Sequence, residues 1–348
     1  MEIFEKIKNG FRIEISEAKS LQSTSLYDLG RLANLRLKNF GDDKKASYIF
    51  NRMINYSNVC TAKCDFCAYH SSAGKLAAFA LNDAKILDLV EEAVSKGATQ
   101  IMLQGGLHPD FNLKWATNIA KSIKSKFAKI NLHIFSPSEV ICFARESNME
   151  IFDALKMLKD SGVDSIPGAA DLLVDSIRNK YSPKKCTRNQ WREVMLNLSK
   201  LDMKSSATMT FGMGETFEDR LTHLQFVRDI QDECNVFNAF IAWPLAPENT
   251  KLEYLPRIGA VEFLRNLAIS RIFLDNIKYV QSGWLTEGLR IAQLALHFGA
   301  NDMGGVLMDE LVIKSAGIEN KASAEAMENV IRAADKIPFE RNANYEAL

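Results

Sequence analysis

Three cysteines carry the chemistry most specific to this sequence. Cys60, Cys64 and Cys67 lie in the run Asn58-Val-Cys-Thr-Ala-Lys-Cys-Asp-Phe-Cys-Ala-Tyr-His70, spaced C-x3-C-x2-C, and Phe66 stands directly before the third. Four thiolates would close an iron–sulfur cluster or a zinc site; three leave one metal corner open, and an open corner is where chemistry happens. Two plainer readings compete. The trio could be part of a zinc site completed by His70 or a distant cysteine, but Cys142, Cys186 and Cys234 are isolated and none forms a second C-x2-C pair. A ferredoxin-type carrier would supply every ligand as cysteine in a short chain, and this one has 348 residues.

Other reactive residues fall where turns are expected. Gly105-Gly106 lets a ligand approach the backbone with no Cβ in the way, although such a pair is also a common turn. Glu139, after Ser136-Pro137, can bind hydroxyls or accept a proton, or equally cap the helix that follows. Asp171 and Arg178 offer an acid and a cation to a polar ligand, against a helix-start acid and a solvated arginine. Trp243 and Trp284 could stack on an adenine or a substrate ring, or simply pack a loop. Tyr69 and Asp302 are candidate proton handlers, and His70, three residues past Cys67, could touch substrate or cap its loop. His133 sits inside a strand, where a satisfied core histidine is the plainer reading.

These residues need a scaffold, and the periodicity supplies one. Residues 1–46 read as a helical extension: Ser25 caps a helix whose Leu29, Leu32, Ala33 and Leu35 share a face. After Gly41-Asp-Asp, strand-like runs alternate with amphipathic helices. The strand candidates are 53–57, 99–103, 130–135, 163–166, 205–211, 236–241, 278–281 and a short one near 300–302. Regular β-then-α alternation implies a parallel sheet with right-handed crossovers, and eight units suggest a TIM-type (β/α)8 barrel over 47–316, with an open doubly wound sheet as the alternative. The alanine-rich residues 317–348 read as helices packed on the barrel or over its base. The barrel reading places catalytic groups at the strand C-termini. The cysteines, Gly105-Gly106, Ser136–Glu139, Asp171, Trp243, Trp284 and Asn301-Asp302 all fall near such ends.

Composition excludes several classes. Lys plus Arg equals Asp plus Glu, 43 each, so no general nucleic-acid-binding surface is expected. No apolar run is long enough for a membrane span, and the first residues lack the apolar core of a signal peptide. Six cysteines in this length do not make a disulfide framework, which points to a reducing, cytoplasmic setting.

The cysteine motif with Phe66 resembles that of the radical S-adenosylmethionine (SAM) enzymes. The resemblance extends through Asn55–Cys67, Thr99–Gly106, His133–Glu139, Asp164–Gly168, Ser182–Thr187 and Gly299–Asp302 to their futalosine-pathway branch, which includes the deazaflavin cofactor synthases. Its Gln-Gly-Gly, Phe-Ser-Pro-x-Glu and Ser-Pro-Lys-Lys-Cys-Thr forms favour the futalosine cyclases over the aminofutalosine synthases. One departure stands out: the branch usually reads Ile-Pro-Gly-Gly-Gly-Ala-Glu where this chain has the shorter Ile166-Pro-Gly-Ala-Ala-Asp171. The resemblance implies a [4Fe–4S] cluster on Cys60, Cys64 and Cys67, with the fourth iron binding the amino and carboxylate groups of SAM. It implies SAM contacts at Phe66, Gly105, Gly106, Ser136, Asp171 and Arg178, and a nucleoside-derived substrate near His70, Trp243, Trp284 and Asn301. An external one-electron donor of flavodoxin or ferredoxin type would reduce the cluster. The implied reaction takes a hydrogen atom from ribose C4′ with a 5′-deoxyadenosyl radical, closes a spiro ring on the attached benzoate, and loses a proton, with Tyr69, Glu139 and Asp302 as candidates for moving it.

Overall fold

A computed structural model describes residues 3–41, 43–73 and 76–348. Met1, Glu2 and Asp42, which the sequence reading assigns to the N-terminal extension and its closing turn, lie outside the described residues. Among the described residues ten strands form: β1 Lys45–Ile49, β2 Asn51–Asn55, β3 Gln100–Gln104, β4 Asn131–Ile134, β5 Ser165–Ile166, β6 Lys204–Phe211, β7 Phe237–Pro244, β8 Tyr279–Val280, β9 Asp302–Gly305 and β10 Ile337–Glu340. Strands β2 to β8 make one parallel sheet in sequence order, Met53 opposite Met102 and Met102 opposite His133. Every residue of β2 is buried, as expected of a strand with lumen on one side and helices on the other.

The sheet closes through its weakest members. The Ser282 N–H donates to Asp302 O at 2.9 Å and Asn301 N–H to Val280 O at 3.1 Å, joining β8 to β9. β9 pairs with β1 (Ser47 with Asp302, Ile49 with Gly305), and Arg52 bridges Met308. Since β1 and β2 are separated by Phe50 alone, the ring counts eight strands: β1–β2, then β3 to β9. Each expected strand is present, shifted by a few residues at most.

Capped helices return the chain between strands. Ser136 with Glu139, Thr187 with Gln190 and Thr216 with Asp219 form reciprocal capping boxes at the starts of Pro137–Glu146, Arg188–Lys200 and Phe217–Cys234. The N-terminal helices pack across the base: Arg12 bonds Asp232 and Asp275, and the buried Arg36 donates to Ile272 O and Phe11 O. β1 begins at Lys45, so the barrel starts slightly earlier than expected. The C-terminal segment differs more. Helix Ala324–Ala333 forms, but the chain then becomes β10, parallel to β1, and its last residues turn under the lumen. The alternation Ile337-Pro-Phe-Glu340 is too short to show a strand without its partner. Among the described residues no helix is long and apolar enough to cross a membrane.

Candidate active site

The lumen holds a cavity of about 340 Å³, within the range of small-molecule sites. Phe66, Cys67, Asp171, Trp243 and Glu310 line it, and so do His133, Arg341 and Tyr345. Its mouth is the C-terminal end of the strands, where the cysteine loop follows β2.

That loop is held by backbone bonds from both sides. Thr61 N–H donates to Leu107 O, Asp65 N–H to Tyr181 O, and Gly106 N–H to Ser57 O. Leu107 N–H donates to Cys60 Sγ at 3.3 Å, while the amides of Tyr69 and His70 point at the Cys67 sulfur. Such N–H···S bonds suit thiolates. Burial pushes the Cys64 thiol up to about 12, only partly countered by Lys185, and raises Cys67 as well. Buried thiols so reluctant to ionise, yet supplied with amide donors, fit a site in which metal charge compensates the thiolates. Among the described residues no three His, Cys, Asp or Glu side chains converge tightly enough for a single ion, whereas a four-iron cube takes each thiolate on a different iron. The residues fit the cluster.

The glycine pair serves the protein's own packing. A Cβ on Gly105 would lie 2.6 Å from the Tyr56 ring, and one on Gly106 would lie 2.3 Å from Val59 O and 2.7 Å from Cys60 Cβ. Gly106 therefore lets the cysteine loop sit against the end of β3.

Asp171 lines the cavity and pairs with Lys185 at 2.7 Å. Burial alone would lower the Lys185 pKa, but the charges of Asp171 and Cys64 raise it overall. Its ammonium also lies 5.9 Å from the centre of the Phe66 ring. Lys185 thus joins the cysteine loop to the Asp171 loop, a role that nothing in Ser182-Pro-Lys-Lys-Cys-Thr187 showed locally. Ala169 and Asp171 adopt left-handed φ of 40° and 52°, a region that favours glycine.

Several expected residues stand elsewhere. The Glu139 carboxylate is 2 % exposed and accepts from the Tyr56 hydroxyl at 2.6 Å, Ser136 N–H at 2.7 Å and the Gly105 amide. It caps its helix and ties three strand ends together, with the Ser136 hydroxyl occupied in the same box; neither lines the cavity. Burial raises Glu139 to about 7 against these bonds. Arg178 donates to Ala170 O at 2.7 Å and to Cys186 O, bracing the two loops instead of facing a ligand. Trp284 is 3 % exposed and donates its indole N–H to Gly305 O. The Asn301 side chain accepts from Arg271 and Val280 N–H and donates to Lys278 O, locking β8 to β9. Asp302 is fully buried opposite Ser47, at the start of β9, and ion-paired with Arg341 at 2.9 Å. It lies at the base of the barrel because β9 runs upward from it.

Tyr69 and His70 sit behind Cys67. The Tyr69 hydroxyl and His70 Nδ1 are buried without a hydrogen-bond partner among the described residues, and His70 lines a smaller cavity with Cys67, Asn249 and Lys251. Burial first, then the charges of Glu310 and Cys67, raise the Tyr69 pKa. Glu310 was missed by sequence reading: it lines the main cavity, burial raises its pKa, and Val312 and Ile313 N–H groups bond its carboxylate. It lies just beyond β9, in a turn without a local motif.

Comparisons with known proteins agree with this geometry. The Radical SAM superfamily model matches residues 54–227, and the model described as the CofH/MqnC C-terminal region matches 234–348. The chain is 37% identical over 348 residues to cyclic dehypoxanthine futalosine synthase of Halalkalibacterium halodurans, covering 99% of this chain and 94% of that one. It is 36% identical to the Streptomyces coelicolor protein of the same name, with 99% and 88% covered. It is also 36% identical to the 5-amino-6-(D-ribitylamino)uracil–L-tyrosine 4-hydroxyphenyl transferase of Methanococcoides burtonii, with 95% of each covered. Among solved structures, methylornithine synthase superposes with a TM-score of 0.76 at 15% identity, covering 97% of each chain. The hydrogenase maturase HydG of Carboxydothermus hydrogenoformans gives 0.75 at 16%, covering 99% of this chain and 80% of that one. At such identities they bear on the fold alone. The chain belongs to the radical SAM superfamily, as a [4Fe–4S]- and SAM-dependent enzyme of its CofH/MqnC group.

Proposed function

We propose that the chain is a cyclic dehypoxanthine futalosine synthase of menaquinone biosynthesis, working in the cytoplasm with a flavodoxin- or ferredoxin-type electron donor. The observation that carries this reading is full-length identity of 36–37% to two synthases of that name, reaching through the region that completes the lumen. Cys60, Cys64 and Cys67 would hold the cluster, and Phe66 and Asp171, which line the cavity, would receive SAM beside the strand end that Gly105-Gly106 forms. With both groups bound, they supply a 5′-deoxyadenosyl radical able to take one hydrogen atom from the substrate ribose. The chain's own residues then have three tasks. Trp243 offers a flat apolar wall to an aromatic ring. The closed strand ring and the tail beneath it exclude water and stray hydrogen donors. Ring closure onto benzoate requires loss of one proton and one electron; the electron would return to the oxidised cluster when that is bound, and Glu310, which lines the cavity, replaces Glu139 and Asp302 as the proton acceptor.

The archaeal transferases, at 36% identity, mark the alternative. Anaerobically reconstituted protein incubated with SAM and dehypoxanthine futalosine should yield 5′-deoxyadenosine and a product two mass units lighter than the substrate, read by mass spectrometry. Deoxyadenosine without that product, together with coupling of tyrosine to the ribityl uracil, would assign the transferase reaction instead.

A further inference from the structure

The cavity floor carries groups that the cofactor contacts and the proton acceptor leave unused. Arg341 reaches it from the C-terminal tail, its side chain 4 % exposed. Nε and Nη2 donate to Asp302 Oδ1 and Oδ2 at 3.2 and 2.9 Å, and Nη1 donates to Asn342 O at 3.2 Å. A guanidinium has five N–H groups, so two remain. The tail holds the group flat: Cζ lies 3.7 Å from the centre of the Tyr345 ring, itself 4.4 Å from that of Tyr279. Asp302 is satisfied, since Ser47 Oγ also donates to Oδ1 at 2.9 Å. His133 lines the same cavity with Nδ1 2.7 Å from Ser165 Oγ, and its Nε2 makes no hydrogen bond among the described residues. Burial and the nearby charge of Arg341 hold its pKa down to about 3, so the ring stays neutral. The neighbouring wall carries the neutral side chains Asn51, Gln100, Ser165 and Gln281, and Lys204, whose ammonium donates to Asn235 O at 2.7 Å. The mouth, by contrast, carries the acids Asp171 and Glu310.

We infer that the floor is a carboxylate subsite, in which Arg341 and His133 take the carboxylate of the substrate's benzoate ring and leave its ribose facing the cysteines. This rests on the reading under Proposed function. Charge-assisted bonds to a guanidinium are strong where water is excluded; at the mouth Asp171 is already paired with Lys185, and Glu310 disfavours the reverse orientation. Arg341 is a specificity-determining and positioning residue: it touches the carboxylate, not the ribose C4′ that gives up its hydrogen atom nor the ring carbon that C4′ joins.

The test compares dehypoxanthine futalosine with its carboxamide analogue on the anaerobically reconstituted holoenzyme. The wild type should prefer the acid by about tenfold or more in kcat/KM, chiefly through KM. Because Arg341→Gln leaves the buried Asp302 unpaired and destabilises the base, the informative variant is Arg341→Gln with Asp302→Asn, which removes both charges. Its preference should collapse, and Arg341→Lys should keep part of it. Reading the ratio of the two substrates cancels any general loss of activity. A double variant that keeps the wild-type ratio overturns the subsite. Should the wild type convert neither compound, the proposed function fails, and calorimetric titration with benzoate decides the floor separately. Binding lost in the double variant supports the subsite; equal binding in both, or none to the wild type, overturns it.

Discussion

At the scale of single residues, burial and hydrogen bonding separate the acids that can act from those that hold the structure. Glu139 and Glu310 both have carboxyls raised by burial, but only Glu310 faces the cavity. Glu310→Gln should therefore lower product formed per deoxyadenosine by about tenfold or more, whereas Glu139→Gln, which retains an acceptor for the Tyr56 hydroxyl, should stay within about threefold of wild type; chromatographic measurement of both products checks this. Glu139 also makes a pH prediction. Its folded pKa of about 7 lies above its ordinary value, so the fold favours the protonated form. The associated stability is fully present below the ordinary carboxyl pKa and is lost as pH rises through about 7. Wild type should lose melting temperature between pH 5.5 and 8 through this group, and Glu139→Gln should flatten that change.

At the scale of elements, the site depends on how closely loops pack behind it. Gly106 is where the end of β3 admits the cysteine loop, and a methyl group there would strike Val59 O and Cys60 Cβ. Gly106→Ala should cost about 1–3 kcal/mol and reduce the iron and sulfide retained after reconstitution. Gly259→Ala, whose Cβ would meet nothing within 4 Å, should leave both unchanged. The Asp171 loop shows the opposite case, a strained residue where glycine would relax. Ala169 sits at φ 40°, so Ala169→Gly should stabilise the chain by up to about 1 kcal/mol in urea denaturation, despite the greater unfolded-state freedom of glycine. A loss of stability would mean that the loop is held by its bonds to Thr208 and Thr210 without strain.

At the scale of the whole molecule, the barrel is closed twice, around its wall and across its base. The Asp302–Arg341 pair joins the last barrel strand to the tail with both side chains almost wholly buried. Removing one partner leaves a buried charge alone, so Arg341→Ala or Asp302→Ala should cost about 3–5 kcal/mol, and neutralising both together should recover much of that loss. Urea unfolding of the two single variants and the Arg341→Gln, Asp302→Asn double variant measures the coupling.

The wall was legible in the sequence because β-then-α alternation is a local pattern that repeats, and the cysteine trio because metal ligation imposes a short, fixed spacing. The floor was not. Ile337–Glu340 becomes a strand only by pairing with Lys45–Tyr48, nearly the whole chain away. Ser136, Glu139, Arg178, Trp284, Asn301 and Asp302 all lie near strand ends or turns in sequence, yet register and direction decide which of them face ligand. Glu139 turns back to its helix start, and Asp302 begins its strand instead of ending it. Lys185, Glu310 and Arg341 carry no motif, and gain their meaning from neighbours distant in the chain. The sequence by itself determined the metal chemistry, the eight-unit barrel and the face on which reaction occurs, since spacing and periodicity are properties of contiguous residues. Only the tertiary structure decided which acid meets the cavity and what closes its base, because burial and charge pairing arise between segments that the chain brings together only on folding.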